Sequence, residues 1–168
     1  GVVNVIPGRG AVAGQRLVEH PDVAKISFTG STDVGVKLAR DSAATLKKLT
    51  LELGGKSPNV IFADAHDLDT AIKGAQQAIF YNKGEVCTAG SRLLVEASVN
   101  EQVVETLGSR AAKMRHGNPL DPETRLGPQV SKQQMDSILG YVEAGKKDGA
   151  RLIAGGSRVG DKGYFVAP

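Results

Sequence analysis

The chain has 168 residues, of which 40% are hydrophobic and 23% charged, a composition typical of one globular domain with a sizeable core. Its net charge of +3 is spread along the chain, and its few aromatic residues do not alternate with basic ones, which argues against a nucleic-acid-binding surface. No apolar run is long enough to cross a bilayer, and no signal-peptide pattern opens the chain.

Short apolar runs alternate with segments of helical periodicity along the whole chain. The predicted strands cover residues 2–6, 25–29, 48–53, 59–62, 93–95, 151–154 and 164–166. The predicted helices cover about residues 11–20 and 32–44, and carry apolar faces over residues 68–79, 99–111 and 135–142. This alternation predicts an α/β fold with a mostly parallel sheet. The glycine pair at 54 and 55 is the best candidate boundary between two α/β units.

Three serines precede predicted helices at positions that suit capping residues. Ser31 is a good N-cap for the second helix. Ser98 with Glu101, and Ser131 with Gln134, have the spacing of capping boxes, in which the serine accepts from the third helical amide. The chain begins without methionine and ends directly after a predicted strand, so we expect an internal piece of a longer protein.

Residues 28–35 form the first candidate site. A strand ends at Gly30 and a helix follows Ser31, and the free amides of a helix N-terminus suit a phosphate group. The spacing nearly matches a P-loop, but Val36 stands where that motif requires lysine. The three glycines at 8, 10 and 14 miss the dinucleotide fingerprint by one position. Taken alone, either glycine set is better explained by ordinary strand-to-helix turns.

Glu52 and Cys87 are the candidate catalytic residues. Glu52 lies near the end of an apolar strand, where it is either desolvated, as suits a general base, or exposed to solvent at a strand edge. Cys87 is the sole cysteine and follows a helix within a loop of small residues, a setting in which active-site residues are common. A lone cysteine is more often a buried, inert residue, so context has to decide.

The three histidines, at positions 20, 66 and 116, are the remaining candidates for metal or nucleophilic chemistry. None has a second histidine or a cysteine at metal-ligand spacing, so a metal site is not expected. We expect all three at the surface. The single cysteine rules out an internal disulfide and favours a reducing, cytoplasmic compartment.

Three segments together resemble the aldehyde dehydrogenase superfamily. Residues 28–35, FTGSTDVG, are similar to its cofactor loop, and residues 51–58, LELGGKSP, to its glutamate signature. Residues 80–91, FYNKGEVCTAGS, are similar to its cysteine signature, and further similar segments extend the resemblance over essentially the whole chain. The ordered set is far more specific than any one motif.

The resemblance implies an aldehyde oxidised to a carboxylic acid with NAD or NADP, NAD being favoured. Cys87 would form a thiohemiacetal and then a thioester, and Glu52 would activate the water that releases the acid. The implied cofactor-binding residues are Gly10, Gly14, Gly30, Ser31, Gly35 and Leu53. Residues 1–53 would end a Rossmann-like cofactor domain, and residues 54–168 would begin the α/β catalytic domain. The parent protein would be a homodimer or homotetramer, and the isolated piece would be inactive.

Three alternatives stay open on the residues alone. The first is a non-enzymatic relative that keeps the fold. The second is a cysteine hydrolase without a redox cofactor, which requires a histidine near Cys87. The third is a relative that transfers the acyl group to coenzyme A, although such relatives usually lack the glutamate found here as Glu52.

Overall fold

A computed structural model describes all residues, Gly1–Pro168, and they form two compact units. The first is Gly1–Gly55 and the second is Lys56–Pro168. Strands and helices alternate in both, and two of the three strand pairs are parallel, which confirms the predicted α/β class. None of the helices is both long and apolar enough to cross a membrane.

The first unit is built on a parallel pair of strands. Strand β1 (Lys25–Gly30) pairs with β2 (Lys48–Leu53). A π-helical turn over Gly10–Gly14 leads into the short helix α1 (Gln15–Glu19), and α2 (Thr32–Ser42) connects the two strands. The apolar side chains at alternate positions of both strands share one half-buried face, as the period of two residues requires.

The predicted strand over residues 2–6 is wrong. The segment has no strand structure, and its four apolar side chains are exposed: Val2, Val3, Val5 and Ile6. A strand needs a partner for its backbone groups, and no strand of this unit pairs with the segment.

The second unit places helices against a second parallel strand pair, followed by a helix and a short hairpin. Its elements are β3 (Pro58–Ile61), α3 (Leu68–Phe80), β4 (Arg92–Val95), α4 (Asn100–Ala112), α5 (Lys132–Lys147), β5 (Arg158–Val159) and β6 (Phe165–Val166). Strands β3 and β4 are parallel, whereas β5 and β6 are antiparallel. Side chains of β3, α3 and α4 form the buried core, with Ile72 and Val103 almost fully enclosed.

Two local predictions for this unit are wrong. Residues 151–154 form no strand, and Leu152 and Ile153 are exposed. Ser98 caps no helix, because α4 begins two residues later and the Ser98 hydroxyl donates to Glu96 Oε1 at 2.8 Å. Ser131 does cap α5, since its hydroxyl accepts from the Gln134 amide at 3.2 Å.

Candidate functional site

The parallel register brings two predicted site residues to one edge of the first unit. Thr29 is paired with Glu52, and Gly30 with Leu53, at the carboxyl ends of β1 and β2. Ligands of open α/β sheets bind outside this end of the strands. Alternation along β2 places Glu52 on its exposed face and Leu53 on its half-buried face. The structure therefore favours the solvent-exposed alternative for Glu52 over the desolvated one.

Helix α2 starts directly after β1, and Ser31 sets its first turn. The Ser31 backbone is extended, and its hydroxyl accepts from the Val34 amide at 3.4 Å. The remaining amides of the first turn precede the hydrogen bonds of the helix, so they are suited to an anion. Asp33 adds a negative charge to this turn, which opposes part of that attraction.

Packing accounts for two of the predicted cofactor glycines. A Cβ atom at Gly30 would lie 2.4 Å from Phe28 Cζ, and one at Gly35 would lie 2.7 Å from Leu53 Cδ2. Gly30 thus accommodates the Phe28 ring, and Gly35 lets α2 approach the end of β2. These contacts explain why both positions lack a side chain, without reference to a ligand.

A cavity of about 710 Å³ lies within the first unit, between the π-helical turn, α1, β1 and α2. Gly10 and Gly14 line it, as do Phe28 of β1 and Val34 of α2. No atom lies within 4 Å of a Cβ built at Gly10 or Gly14, so both glycines face open space. The cavity is within the size range of ligand sites, and it reaches the first turn of α2. These residues fit a nucleotide cofactor.

A polar network crosses this cavity from α1 to α2. Lys37 Nζ donates to Gln15 Oε1 at 2.5 Å and forms an ion pair with Asp41, and both Lys37 and Gln15 line the cavity. Gln15 Nε2 donates to Asp41 Oδ2 at 2.9 Å. The hydrogen bonds from Lys37 and then from Gln15 hold the pKa of the Asp41 carboxyl below its usual value. This network was not predicted from the sequence, although a lysine and an aspartate four residues apart on a helix indicate an ion pair.

Cys87 lies in the second unit, on a turn over residues 86–89 that the Ala89 amide closes by donating to the Val86 carbonyl at 3.0 Å. The Cys87 side chain is exposed, so the alternative of a buried, inert cysteine does not hold in this chain. Its backbone N–H donates to no protein acceptor, and the nearest hydrogen-bonded amides of the loop are those of Glu85 and Ala89. An exposed thiol next to an unpaired amide is an arrangement suited to attack on a carbonyl group.

The turn that precedes Cys87 lies within the cysteine-signature segment, residues 80–91, and its backbone is unusual. Asn82 and Lys83 have left-handed backbone conformations, with φ of 47° and 60°, and Gly84 follows with φ of 78°. Asn82 Nδ2 donates to the Glu85 carbonyl at 3.2 Å, and Lys83 Nζ lies 3.3 Å from Glu85 Oε2. Asparagine followed two residues later by glycine indicates a turn at this point, but it does not predict a left-handed lysine between them.

The histidines occupy three different environments. His20 is half-buried, and its Nδ1 accepts from the Asp22 amide at 3.2 Å. His66 is exposed, as predicted for all three. His116 is half-buried beside Leu126, and its Nε2 is buried with no hydrogen-bond partner, so the surface prediction is wrong for this residue. The backbone of His116 forms a bridge with Leu126, a contact between residues ten positions apart that the sequence pattern did not reveal.

Comparison with known proteins places the chain in a family. The model of the aldehyde dehydrogenase family matches residues 1–168. The chain is 52% identical over its whole length to an aldehyde dehydrogenase of Enchytraeus buchholzi, and 51% identical to mouse aldehyde dehydrogenase, cytosolic 1. It spans 34% of the length of each.

Comparison of the fold with solved structures leads to the same family. The structure of the NAD+ complex of an aldehyde dehydrogenase from Bacillus cereus matches 97% of this chain, with a TM-score of 0.93 and 50% sequence identity. The match covers 33% of that protein's chain. This chain belongs to the aldehyde dehydrogenase family.

Proposed function

We propose that the chain is part of a longer enzyme, called here the whole enzyme, that oxidises an aldehyde to a carboxylic acid with NAD(P)+. The observation that carries the proposal is the exposed Cys87 thiol beside its own unpaired amide. Family membership over the full length of the chain supports it. Residues 1–53 would belong to the cofactor domain and residues 54–168 to the catalytic domain.

Cys87 would act as the nucleophile. Its thiolate attacks the aldehyde carbonyl carbon, and the new C–S bond leaves an oxyanion to which the Cys87 amide donates. When bound, NAD(P)+ would accept the hydride that the former carbonyl carbon loses, which brings that carbon to the oxidation level of an acid. The acyl group then remains on Cys87 Sγ as a thioester. The exposed loop of small residues gives an aldehyde access to the thiol.

Glu52 would act as the general base that releases the product. Its carboxylate accepts a proton from water, the hydroxide attacks the thioester carbonyl, and the thiolate leaves with the carboxylic acid formed. The exposed position of Glu52 at the carboxyl end of β2 makes the carboxylate available for this step. The presence of Glu52 favours release by water over transfer to coenzyme A.

The first unit would hold the cofactor. Gly10 and Gly14 would line the adenosine side of the cavity, where their open Cβ positions leave room for a ring. Gly30, Ser31 and Gly35 would form the strand-to-helix turn that receives the pyrophosphate at the first turn of α2. Leu53 would contribute to this binding surface through its contact with Gly35. We favour NAD over NADP, since the matched Bacillus cereus structure is an NAD+ complex.

Two further properties follow by analogy with the family. We propose a homodimer or homotetramer for the whole enzyme. We also propose a cytoplasmic location, for which the name of the mouse relative is the support. The isolated piece should be inactive, and aldehyde-dependent NADH formation by the piece would refute that statement.

The test uses the whole enzyme and its Cys87→Ala variant. NADH and NADPH formation are followed with aliphatic, aromatic and amino aldehydes, and the product is identified as free acid or acyl thioester. Formation of NADH that is lost in the variant, with free acid as product, supports the proposal. Activity that survives in Cys87→Ala removes the thiol from the mechanism. An acyl thioester as the final product would instead support the alternative in which the acyl group is transferred to coenzyme A.

A further inference from the structure

Three consecutive left-handed residues immediately precede the turn that carries Cys87. They are Asn82, Lys83 and Gly84, and two of them are not glycine. A single left-handed residue, usually glycine and sometimes asparagine, is enough to end a helix, and Asn82 is at that position, directly after the C-cap Tyr81 of α3. The left-handed conformations of Lys83 and Gly84 exceed what helix termination requires. Such backbone conformations persist only where surrounding contacts impose them, and they are concentrated at functional sites.

Side chains of this turn supply those contacts. Asn82 Nδ2 donates to the Glu85 carbonyl at 3.2 Å, and the Glu85 amide donates back to the Asn82 carbonyl at 3.1 Å. Lys83 Nζ lies 3.3 Å from Glu85 Oε2, and the lysine side chain is only 19% exposed. The turn is therefore closed twice by Asn82 and a third time by the ion pair.

The other end of the loop is fixed by a different set of contacts. The Gly90 amide donates to the Ala78 carbonyl of α3 at 3.0 Å, and both Ala89 and Gly90 are buried. Cys87 thus lies on a short, exposed segment between two fixed points. On its N-terminal side the segment is held by the Asn82 hydrogen bonds to Glu85 and by the Lys83–Glu85 ion pair, and Asn82 is the first of these residues after α3.

We infer that Asn82 is a positioning residue for Cys87. Its side-chain amide closes the left-handed turn, and the closed turn holds the Cys87 thiol and the Cys87 N–H where both meet the aldehyde. The inference rests on the proposed function, in which Cys87 is the nucleophile. A reacting group displaced by about 1 Å can lose orders of magnitude in rate, so a contact five residues away can control turnover.

The experiment uses three substitutions of Asn82 in the whole enzyme. Asn82→Gly keeps the left-handed conformation accessible but removes the donor, and Asn82→Asp keeps a similar size but also removes the donor. Asn82→Ala removes the donor and disfavours the conformation. Asn118→Ala is the matched control, because Asn118 is an exposed asparagine of the same unit whose Oδ1 closes another loop by accepting from the Leu120 amide at 3.0 Å.

In all three Asn82 variants we expect kcat to fall by about tenfold to a hundredfold, with Asn82→Ala lowest. The dissociation constant for NAD should change by less than about twofold, since the turn is not in the cofactor-binding unit. Backbone amide hydrogen exchange over residues 81–90 should become faster in each variant. Asn118→Ala should leave both kcat and the exchange of this segment unchanged.

The outcomes separate this inference from the proposed function. If the unmodified enzyme shows NADH formation that depends on Cys87, while the Asn82 variants keep its kcat within about twofold, Asn82 has no positioning role. A loss of kcat in Asn118→Ala as large as that in Asn82→Ala would show that both substitutions act through general destabilisation. That result would also overturn the inference. If the unmodified enzyme forms no NADH in a Cys87-dependent way, the proposed function fails, and this inference fails with it.

Discussion

Gly35 of α2 and Leu53 of β2 are in direct contact at the carboxyl end of the first strand pair. A Cβ atom at Gly35 would stand 2.7 Å from Leu53 Cδ2 and 2.8 Å from Cδ1. The contact joins the helix whose N-terminus is proposed to receive the cofactor to the strand that carries Glu52. Two predicted site residues are therefore linked by packing.

Replacing Gly35 by alanine should destabilise the whole enzyme by up to about 2 kcal/mol. Overpacking against Leu53 costs about 1–3 kcal/mol, and the better helix propensity of alanine offsets about 1 kcal/mol of it. Urea unfolding measures the difference. In a Leu53→Ala background the crowding atoms are absent, so the same substitution should be neutral or stabilising. An equal loss in both backgrounds would show that the contact is not the cause.

Stability at low pH should depend on Asp41. Its pKa is lowered by hydrogen bonds from Lys37 and Gln15, so the carboxylate is favoured in the folded state. The stabilisation is therefore present above the ordinary aspartate pKa of about 3.9 and is lost as the pH falls through the lower, folded-state pKa.

Unfolding midpoints of the unmodified enzyme and Asp41→Asn, measured from neutral pH to about pH 2, test this dependence. The two curves should be separated above the ordinary pKa and converge below it. Asp136→Asn is the matched control, since Asp136 pairs with Lys132 at the same helical spacing but has no second side-chain donor of the kind that Gln15 supplies to Asp41. Curves that stay parallel over the whole range would contradict the prediction.

Ser131 and Ser98 should respond differently to alanine. Ser131 caps α5 through the Gln134 amide, and loss of such a cap costs about 1 kcal/mol. Ser98 caps no helix and donates only to exposed Glu96. Ser98→Ala should therefore lower the free energy of unfolding less than Ser131→Ala does, with a difference of roughly 0.5 kcal/mol or more. Denaturant unfolding of the two variants measures both losses side by side. A larger loss of stability in Ser98→Ala than in Ser131→Ala would contradict this prediction and support the capping box that the sequence pattern predicts at Ser98.

Replacing Glu52 by glutamine should separate the two halves of the proposed reaction. Glutamine keeps the size of the side chain but cannot accept the proton of water, so release of the acid should slow by about 10²–10⁴-fold. Rapid mixing with saturating aldehyde should then give a burst of NADH followed by a slow phase, and mass spectrometry should find the acyl group on Cys87. A steady rate equal to that of the unmodified enzyme would exclude Glu52 as the base.

Much of the second unit was predictable, because its signals are local. Helix α3 has apolar residues at helical spacing and an aspartate at its N-terminus, and Asp67 does cap it through two backbone amides. The candidate loop around Cys87 was recognisable from its small residues and from the ordered set of motifs. These features involve residues within a few positions of one another, so the sequence pattern contains them.

Features that depend on a distant partner, or on which of several nearby contacts a residue makes in the folded chain, were not predictable. Residues 2–6 have the composition of a buried strand, yet no strand of the structure pairs with them. Ser98 has the spacing of a capping residue, but Glu96 takes its hydroxyl. The left-handed conformations of Asn82 and Lys83 are imposed by contacts with Glu85, and no propensity of lysine favours them.

By itself, the sequence determined the α/β class, the order of most elements, and the identity of Cys87 and Glu52 as candidates. Period, capping and motif spacing are properties of neighbouring residues, so they are readable before folding. Only the tertiary structure decided that Glu52 is exposed beside Thr29, that Gly35 is packed against Leu53, and that a cavity opens beside Gly10. Those facts depend on which distant segments come into contact, because burial and packing are properties of the folded chain and not of any single segment.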